Sequence, residues 1–405
     1  MMRPFRKLLS FENAKRMMLQ GASPIERRER LSIGDVGGRV IAQEIISEID
    51  VPPFDRSAMD GFAARAEDTF DAGKFEPVKL RIVGKSLAGR PSGSVVGKGE
   101  CIEIATGAKL PGGADAVVKV ENTELMDGNV RIFTPVHPGR DVSKRGEDIK
   151  TGETVLKPGS YLDPSNIGAI AALGIVKVDV YERPRVAIIP TGAEVAPLGS
   201  ELQEGQVYDI NTHTLAQVAL QSGCLPKPWE IVMDELGALE KVLDKALSGD
   251  MVVFSGGSSV GETDILVDIL EGRGEILFHG IQVKPGKPTL CAIVEGKLVV
   301  GMPGYPASCL TNAYALLAPV LRRIARVPPE VERFLDAPIS RRAVSSLGRL
   351  QLLTVKMVDG KAVPVYKESG AITSLADADG YIEIPIDTEL IEKGEIVRVK
   401  LFRPV

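Results

Sequence analysis

The sequence predicts a multidomain α/β plus β protein, and three observations carry that class. A chain of 405 residues is too long for a single core at roughly 100 to 200 residues per domain. From residue 184 onward, apolar strand patterns alternate with helical ones, as in a mostly parallel sheet flanked by helices. Elsewhere, short Val/Ile-rich runs are interrupted by many of the 42 glycines and 27 prolines, which reads as β structure rich in turns.

Taken in order, Phe11, Ala14 and Met18 recur at helical spacing behind Ser10, with Gly21 as a stop, and predict a helix over 10–20. Between 52 and 141, KLRIVGKSLAG, GECIEIATGA and ADAVVKVENTEL show no helical period. Both flanks of this block carry helix and strand signals that it lacks. It therefore reads as an inserted β-rich domain, 52–141, that splits an N-terminal α+β domain into 1–51 and 142–182. In DPSNIGAIAALG, Asp163 is the cap, Pro164 takes the first helical position and Gly174 follows the end. In the α/β domain, 183–327, RVAIIP, MVVFSG and KLVVGMPG are strands followed by Gly or Pro turns. The helices between them are capped by Asn211 in NTHTLAQVALQSG and by Asp234 in DELGALEKVLDKALSG. Such alternation implies right-handed crossovers. Pro328 and Pro329 mark a linker, and TVKMVDGKAVPVY reads as a hairpin around Asp359-Gly360, so 328–405 is a small β domain.

Composition excludes several classes. The charge balance of −5 gives no global positive field for nucleic acid or an anionic membrane, so any anion must be bound locally. Cys101, Cys224, Cys291 and Cys309 form no CxxC pair, and the three histidines form no HxH or HxxxH pair, which argues against a disulfide framework and a His-rich zinc or iron site. Hard oxygen ligands remain. Glu12, Asn13, Lys15 and Arg16 interrupt any signal-peptide core, and no stretch offers the roughly 18 apolar residues of a membrane span. The expected location is the cytoplasm.

Three turns could hold an anion. MVVFSGGSSVGETD runs from a buried strand into a loop of small residues and then Glu262 and Asp264; such loops present backbone N–H groups. KPGKP sets Lys284 and Lys287 on a rigid turn. MPGYPAS places Gly304 and Ser308 near a helix start. Each alone is compatible with a plain connection, but they converge if their strands neighbour one another. The GxSxG pattern at 257–261 has only His279 after it, directly behind the next strand pattern, whereas an α/β-hydrolase needs its histidine far downstream beyond an acidic partner. Gly280 to Gly286 fails as a Walker A loop, because Lys287 is followed by Pro288. Carboxylates supply the other half: Asp55 and Asp60 at the start of the insert and Glu147 and Asp148 at its return must approach one another. Together they suit a hard cation such as Mg²⁺. Glu194, Asp234 and Asp264 add oxygen ligands in the α/β domain.

PPFDRSAMDGFA, IATGAKLPGGADAVV, RGEDI, TGAEV, SGGSSVGETD, KPGKP, MPGYPAS and SGAITSLADADGYIEIP stand in the order found in molybdopterin molybdenumtransferases. The chain resembles that family, which includes the E domain of gephyrin, over nearly its whole length. The resemblance implies that 183–327 binds molybdopterin and that the C-terminal domain is a small barrel. It also implies a homodimer whose active site lies between the α/β domain of one chain and the insert of the other. The implied reaction inserts molybdate, or tungstate, into adenylated molybdopterin (molybdopterin-AMP), with Mg²⁺-dependent release of AMP. A pterin adenylyltransferase is the implied pathway partner.

By resemblance, Asp60, Thr106 and Asp148 act at the substrate and Mg²⁺. Gly256, Gly257, Ser258, Asp234, Asp264, Lys284, Lys287, Pro303, Gly304, Pro306 and Ser308 line the pterin and oxyanion pocket. We further expect Lys284 and Lys287 to neutralise molybdate and the pterin phosphate, and Asp60, Asp148 and Glu194 to hold or position Mg²⁺. The chain departs from the family pattern at Ala193, where TGDE is common, at Tyr305, where PGNP is frequent, and in an arginine-poor loop before RGED. A non-catalytic carrier or scaffold is the competing reading; retention of both acidic and basic sets favours catalysis. A lone adenylyltransferase would leave the flanking domains unexplained.

Overall fold

The computed structural model describes residues 8–256, 265–365 and 371–402, and the chain divides into two units. One comprises 30–37 and 41–179; the other comprises residues up to 29, 38–40 and 180 onward.

In the first of these units, alternating apolar residues build a six-stranded sheet. Its order is Ala116–Lys119, Gly61–Ala64, Glu100–Ile104, Val78–Ser86, Asn129–Ile132 and Thr123–Met126. Every pairing is antiparallel except that of Val78–Ser86 with Glu100–Ile104. Phe62, Leu80, Cys101, Val118 and Ile132 fill one core, while Ala63, Ile104 and Val117 point into a second. The helix Pro164–Ala172 starts as the sequence predicts: Asn166 N–H donates to the Asp163 carboxylate at 2.8 Å, and Gly174 follows in the left-handed region at φ 71°.

In the other unit, helix α1 (Phe11–Gly21) is capped by Ser10. Its buried Phe11, Ala14 and Met18 belong to the same core as Val186, Met251 and Val300 of the central sheet. That sheet contains β1 (Arg185–Pro190), β2 (Leu225–Pro228), β3 (Met251–Ser255), β4 (Gly274–His279), β5 (Leu290–Val294) and β6 (Lys297–Met302) in the order β2-β1-β3-β6-β5-β4. The intervening helices are α2 (Asn211–Gln221), α3 (Leu236–Ala246) and α4 (Ile265–Arg273); α5 (Pro306–Asn312) follows the last strand.

The sheet is mostly parallel, as expected, with β5 reversed. β2, β1, β3 and β6 run parallel, whereas β6, β5 and β4 are antiparallel neighbours. The cause is local: Glu295 (φ 51°) and Gly296 (φ 75°) close a two-residue hairpin between β5 and β6. Both faces are covered over β1, β3, β5 and β6, which are mostly buried and apolar; full burial of Phe254 in β3 contributes about 1.5–3 kcal/mol.

At the C-terminus, β7 (Phe334–Pro338), β8 (Leu350–Val358), β9 (Lys361–Pro364), β10 (Gly380–Ile384) and β11 (Ile396–Leu401) pair in the order β9-β8-β10-β11-β7. Asp359 (φ 48°) and Gly360 (φ 72°) make the expected β8–β9 hairpin, and an isolated bridge joins Ile339 to Ala362. All four cysteines are buried and unpaired. Burial pushes the Cys101 and Cys224 thiols up to about 12. Among the described residues no helix is long and apolar enough to cross a membrane.

Candidate functional site

A cavity of about 730 Å³ opens where β1, β3 and β6 end, within the usual size of small-molecule sites. These strands are sheet neighbours, so the turns after them lie side by side: Thr191 N–H donates to Ser255 O at 3.1 Å and Gly256 N–H to Met302 O at 3.2 Å. Glu194, Asp234, Gly256, Pro303, Gly304, Pro306 and Ser308, all expected from the sequence, line it. Gly257, Ser258 and Asp264 lie outside the described residues.

Gly256 has a φ of 102°, and a Cβ there would stand 2.6 Å from the Thr191 carbonyl oxygen. Only glycine fits that turn without displacement. The Asp209 carboxylate, which also lines the cavity, accepts from Thr212 N–H at 3.0 Å and so starts α2. The expected cap, Asn211, is instead the first helical residue. Its Nδ2 donates to Gly304 O at 2.8 Å and ties α2 to the turn after β6. The cap before α3 also shifts, to Glu235, which makes no side-chain cap bond, while Asp234 faces the cavity.

Because β5 runs antiparallel to β6, Leu290 at its start pairs with Gly301 near the end of β6. KPGKP, just before β5, thus lies at the same sheet edge as the other turns. Asn312 at the end of α5 braces it: Nδ2 donates to Gly286 O at 3.0 Å and to Thr289 Oγ1 at 2.8 Å. A Cβ on Gly286 (φ 103°) would stand 2.3 Å from that nitrogen. Neither Lys284 nor Lys287 is among the cavity's lining residues, whereas Pro288 is. Lys284 Nζ instead donates to Ser346 Oγ at 3.1 Å, and its strand pairs with β8.

The other unit gathers a second set. The Asp60 carboxylate accepts from Thr106 N–H at 2.7 Å, which joins two expected residues from separate loops. The bond holds the Asp60 carboxyl below the usual aspartate range. Gly61 beside it lets the Val118 carbonyl oxygen come within 1.9 Å of where a Cβ would stand. The start and return of the insert do meet: Val142 and Ser143 pair with Ser57 and Arg56, and Val51 bridges Ile149. Asp148 N–H donates to Val51 O at 3.0 Å, and its side chain is exposed.

Sequence reasoning singled out Asp55, Asp60, Glu147 and Asp148 here but missed Asp50, which together with Asp55 holds the corner. Asp55 accepts from Arg145 N–H at 2.8 Å and from Lys144 Nζ at 3.1 Å. Asp50 accepts from Arg145 Nε at 2.5 Å and from Thr151 N–H at 2.9 Å. Backbone donation, from Thr151 to Asp50 and from Arg145 to Asp55, holds both carboxyls low. Asn312 and Asp209 were missed as well. The only available signal was that each is polar beside an apolar helical pattern. Among the described residues no group of three His, Cys, Asp or Glu side chains is gathered to hold a metal.

Comparison with known proteins places these features. Residues 9–174 match the "MoeA N-terminal region (domain I and II)", 187–323 the "Probable molybdopterin binding domain", and 336–402 the "MoeA C-terminal region (domain IV)". The molybdopterin molybdenumtransferase of Haemophilus influenzae is 34% identical over 78% of this chain and 78% of its own length. That of Staphylococcus epidermidis is 30% identical over 96% of this chain and 94% of its own. The crystal structure of a molybdopterin biosynthesis MoeA protein from Pyrococcus horikoshii superposes with a TM-score of 0.84 at 40% identity, covering 98% of this chain and all of the other.

Proposed function

Because this chain belongs to the molybdopterin molybdenumtransferase family, it is a transferase of molybdenum cofactor biosynthesis, and we propose that its α/β cavity takes adenylated molybdopterin, into which molybdate or tungstate is inserted as AMP leaves. The observation that carries this reading is the cavity wall itself. The turns after three neighbouring strands bring the close-approach Gly256 together with Gly304, Glu194, Asp234 and Ser308, a surface that suits a polar, phosphate-bearing ligand.

The roles follow from side-chain chemistry. Gly256, Gly304 and Ser308 line the space for the pterin and its phosphate. Lys284 and Lys287, on the turn braced by Asn312, neutralise the incoming oxyanion and the pterin phosphate; positive charge fixed beforehand stabilises the charge that develops on the leaving phosphate. Thr106 orients Asp60 through its N–H.

Mg²⁺ fits the donors present. Asp60 is held ionised, Asp148 is exposed, and Mg²⁺ commonly takes one or two carboxylates while keeping waters and substrate phosphates. We assign the ion to Asp60 and Asp148, with Glu194 offering the same oxygen chemistry at the cavity. When bound it supplies Lewis-acid polarisation of the phosphoanhydride. The C-terminal strands are read as a small barrel, a reading supported by the Ile339–Ala362 bridge between the ends of the β9-to-β7 path. We read the enzyme as a cytoplasmic homodimer. The adenylate it consumes has to be installed by a prior nucleotidyl transfer, so a pterin adenylyltransferase acts before it.

The test is incubation of the purified protein with adenylated molybdopterin and Mg²⁺, adding each oxyanion in turn. AMP is expected to appear with molybdate or tungstate, with the metal retained on the pterin. No AMP with either oxyanion ends this reading.

A further inference from the structure

Two tyrosines from separate elements stand at the mouth of the α/β cavity. Tyr305, between β6 and α5, is 65% exposed, and Tyr208, in a two-residue strand paired with Val195–Ala196 before α2, is 40% exposed. Both are anchored away from the ring faces: the Tyr208 hydroxyl donates to Ser200 O at 2.9 Å, and the Tyr305 carbonyl accepts from Cys309 N–H at 2.9 Å. Exposed aromatic rings with fixed backbones at the mouth of a cavity are poorly explained as core packing. They are well suited to stacking on a flat ring.

A second observation concerns the cavity wall. Asn211 is 7% exposed, and its amide nitrogen is committed to Gly304 O, so Oδ1 is left as a buried acceptor without a partner. Thr191 Oγ1, also on the wall, is likewise buried without a partner. Unmet polar atoms of this kind carry a desolvation cost that a ligand donor relieves.

We propose that Tyr208 and Tyr305 stack on the face of a planar nitrogen heterocycle, and that Asn211 Oδ1 accepts a hydrogen bond from the ring's edge. This rests on reading the cavity as the substrate site. Adenine and pterin share the required chemistry: both are flat, and both carry an amino group on the rim. Asn211 also joins the ring's edge to the Gly304 turn, which couples recognition of the ring to the position of Tyr305.

The full-length protein is titrated calorimetrically with AMP, with 6-hydroxymethylpterin and with ribose 5-phosphate, which lacks a heterocycle. Tyr305→Ala and Tyr208→Ala are expected to weaken binding of AMP, the pterin or both by about 5- to 150-fold, as for base stacking on an aromatic side chain. Tyr305→Phe keeps the ring and holds affinity to within about twofold. Loss in the AMP arm assigns the rings to adenine, and loss in the pterin arm assigns them to the pterin. Ribose 5-phosphate binding should not move, because a general disturbance of the cavity would affect it too. The proposal is overturned if the alanine variants leave both heterocycle affinities unchanged, if Tyr305→Phe loses as much as Tyr305→Ala, or if the unsubstituted protein binds neither ring. Normal AMP release together with unchanged affinities would refute the stacking alone; absent AMP release together with the expected affinity losses would refute the reaction alone.

Discussion

The α/β cavity and the acidic corner of residues 50–60 and 142–151 are both assembled from loops, yet they are held by opposite means. The cavity turns are fixed from within: Asn312 is fully buried beneath KPGKP, Gly256 presses on Thr191, and Asn211 grips Gly304. At the corner, Asp50, Asp55 and Asp60 are held by backbone N–H groups and by exposed Lys144 and Arg145. One region keeps its shape by packing and the other by charge at the surface. Their responses to salt, acid and substitution should therefore separate.

The sharpest way to break the contrast is Asp60→Asn. It should lower AMP release by on the order of a hundredfold or more while the protein stays folded; unaltered turnover would remove the corner from the chemistry. Next, Lys287→Ala should weaken oxyanion binding by about 1.5–3 kcal/mol, the worth of a charge-assisted hydrogen bond, in direct titration. No change in affinity would move the clamp elsewhere. Gly256→Ala should cost about 1–3 kcal/mol of stability from its disallowed backbone and its approach to Thr191, read by thermal unfolding at several ionic strengths, with a loss that does not depend on salt. The smallest effect belongs to Arg145→Ala, whose side chain is largely exposed: a slight destabilisation at low salt that vanishes at high salt. Acid sharpens the same distinction. The Asp50, Asp55 and Asp60 carboxyls are lowered in the fold, so their contribution is present above the ordinary aspartate pKa near 4 and is lost as pH falls through the lowered values. Hydrogen exchange at 142–151 should rise in acid before exchange at 286–289 does.

Local signals made much of this legible. Ser10 and Asp163 cap helices as their sequences indicate, and Asp359-Gly360 turns a hairpin. The β5–β6 hairpin escaped because its turn is Glu295-Gly296, without the short Asn or Asp side chain that announces such a turn. Its consequence for direction, the reversal of β5, escaped with it. In the site, the residues on strand-end turns could be read because the turns themselves are punctuated by glycine and proline. Asn312 and Asp50 could not: their partners lie 23 to 26 and 95 to 101 residues away, and sequence spacing says that loops meet without saying which atoms pair. Asp209 took the capping bond expected of Asn211, because either residue type can cap a helix.

The β5–β6 hairpin also sets where the chain can tolerate added length. Five consecutive pairs, from Leu290 with Gly301 to Val294 with Lys297, fix the register between KPGKP and the turn after β6. Slipping it by one residue would reverse every side chain and drag the two apart by about 3.4 Å. The exposed tip at Glu295-Gly296 sits at the far end of that ladder, which makes it the natural place to graft a tag or reporter peptide without touching the catalytic edge.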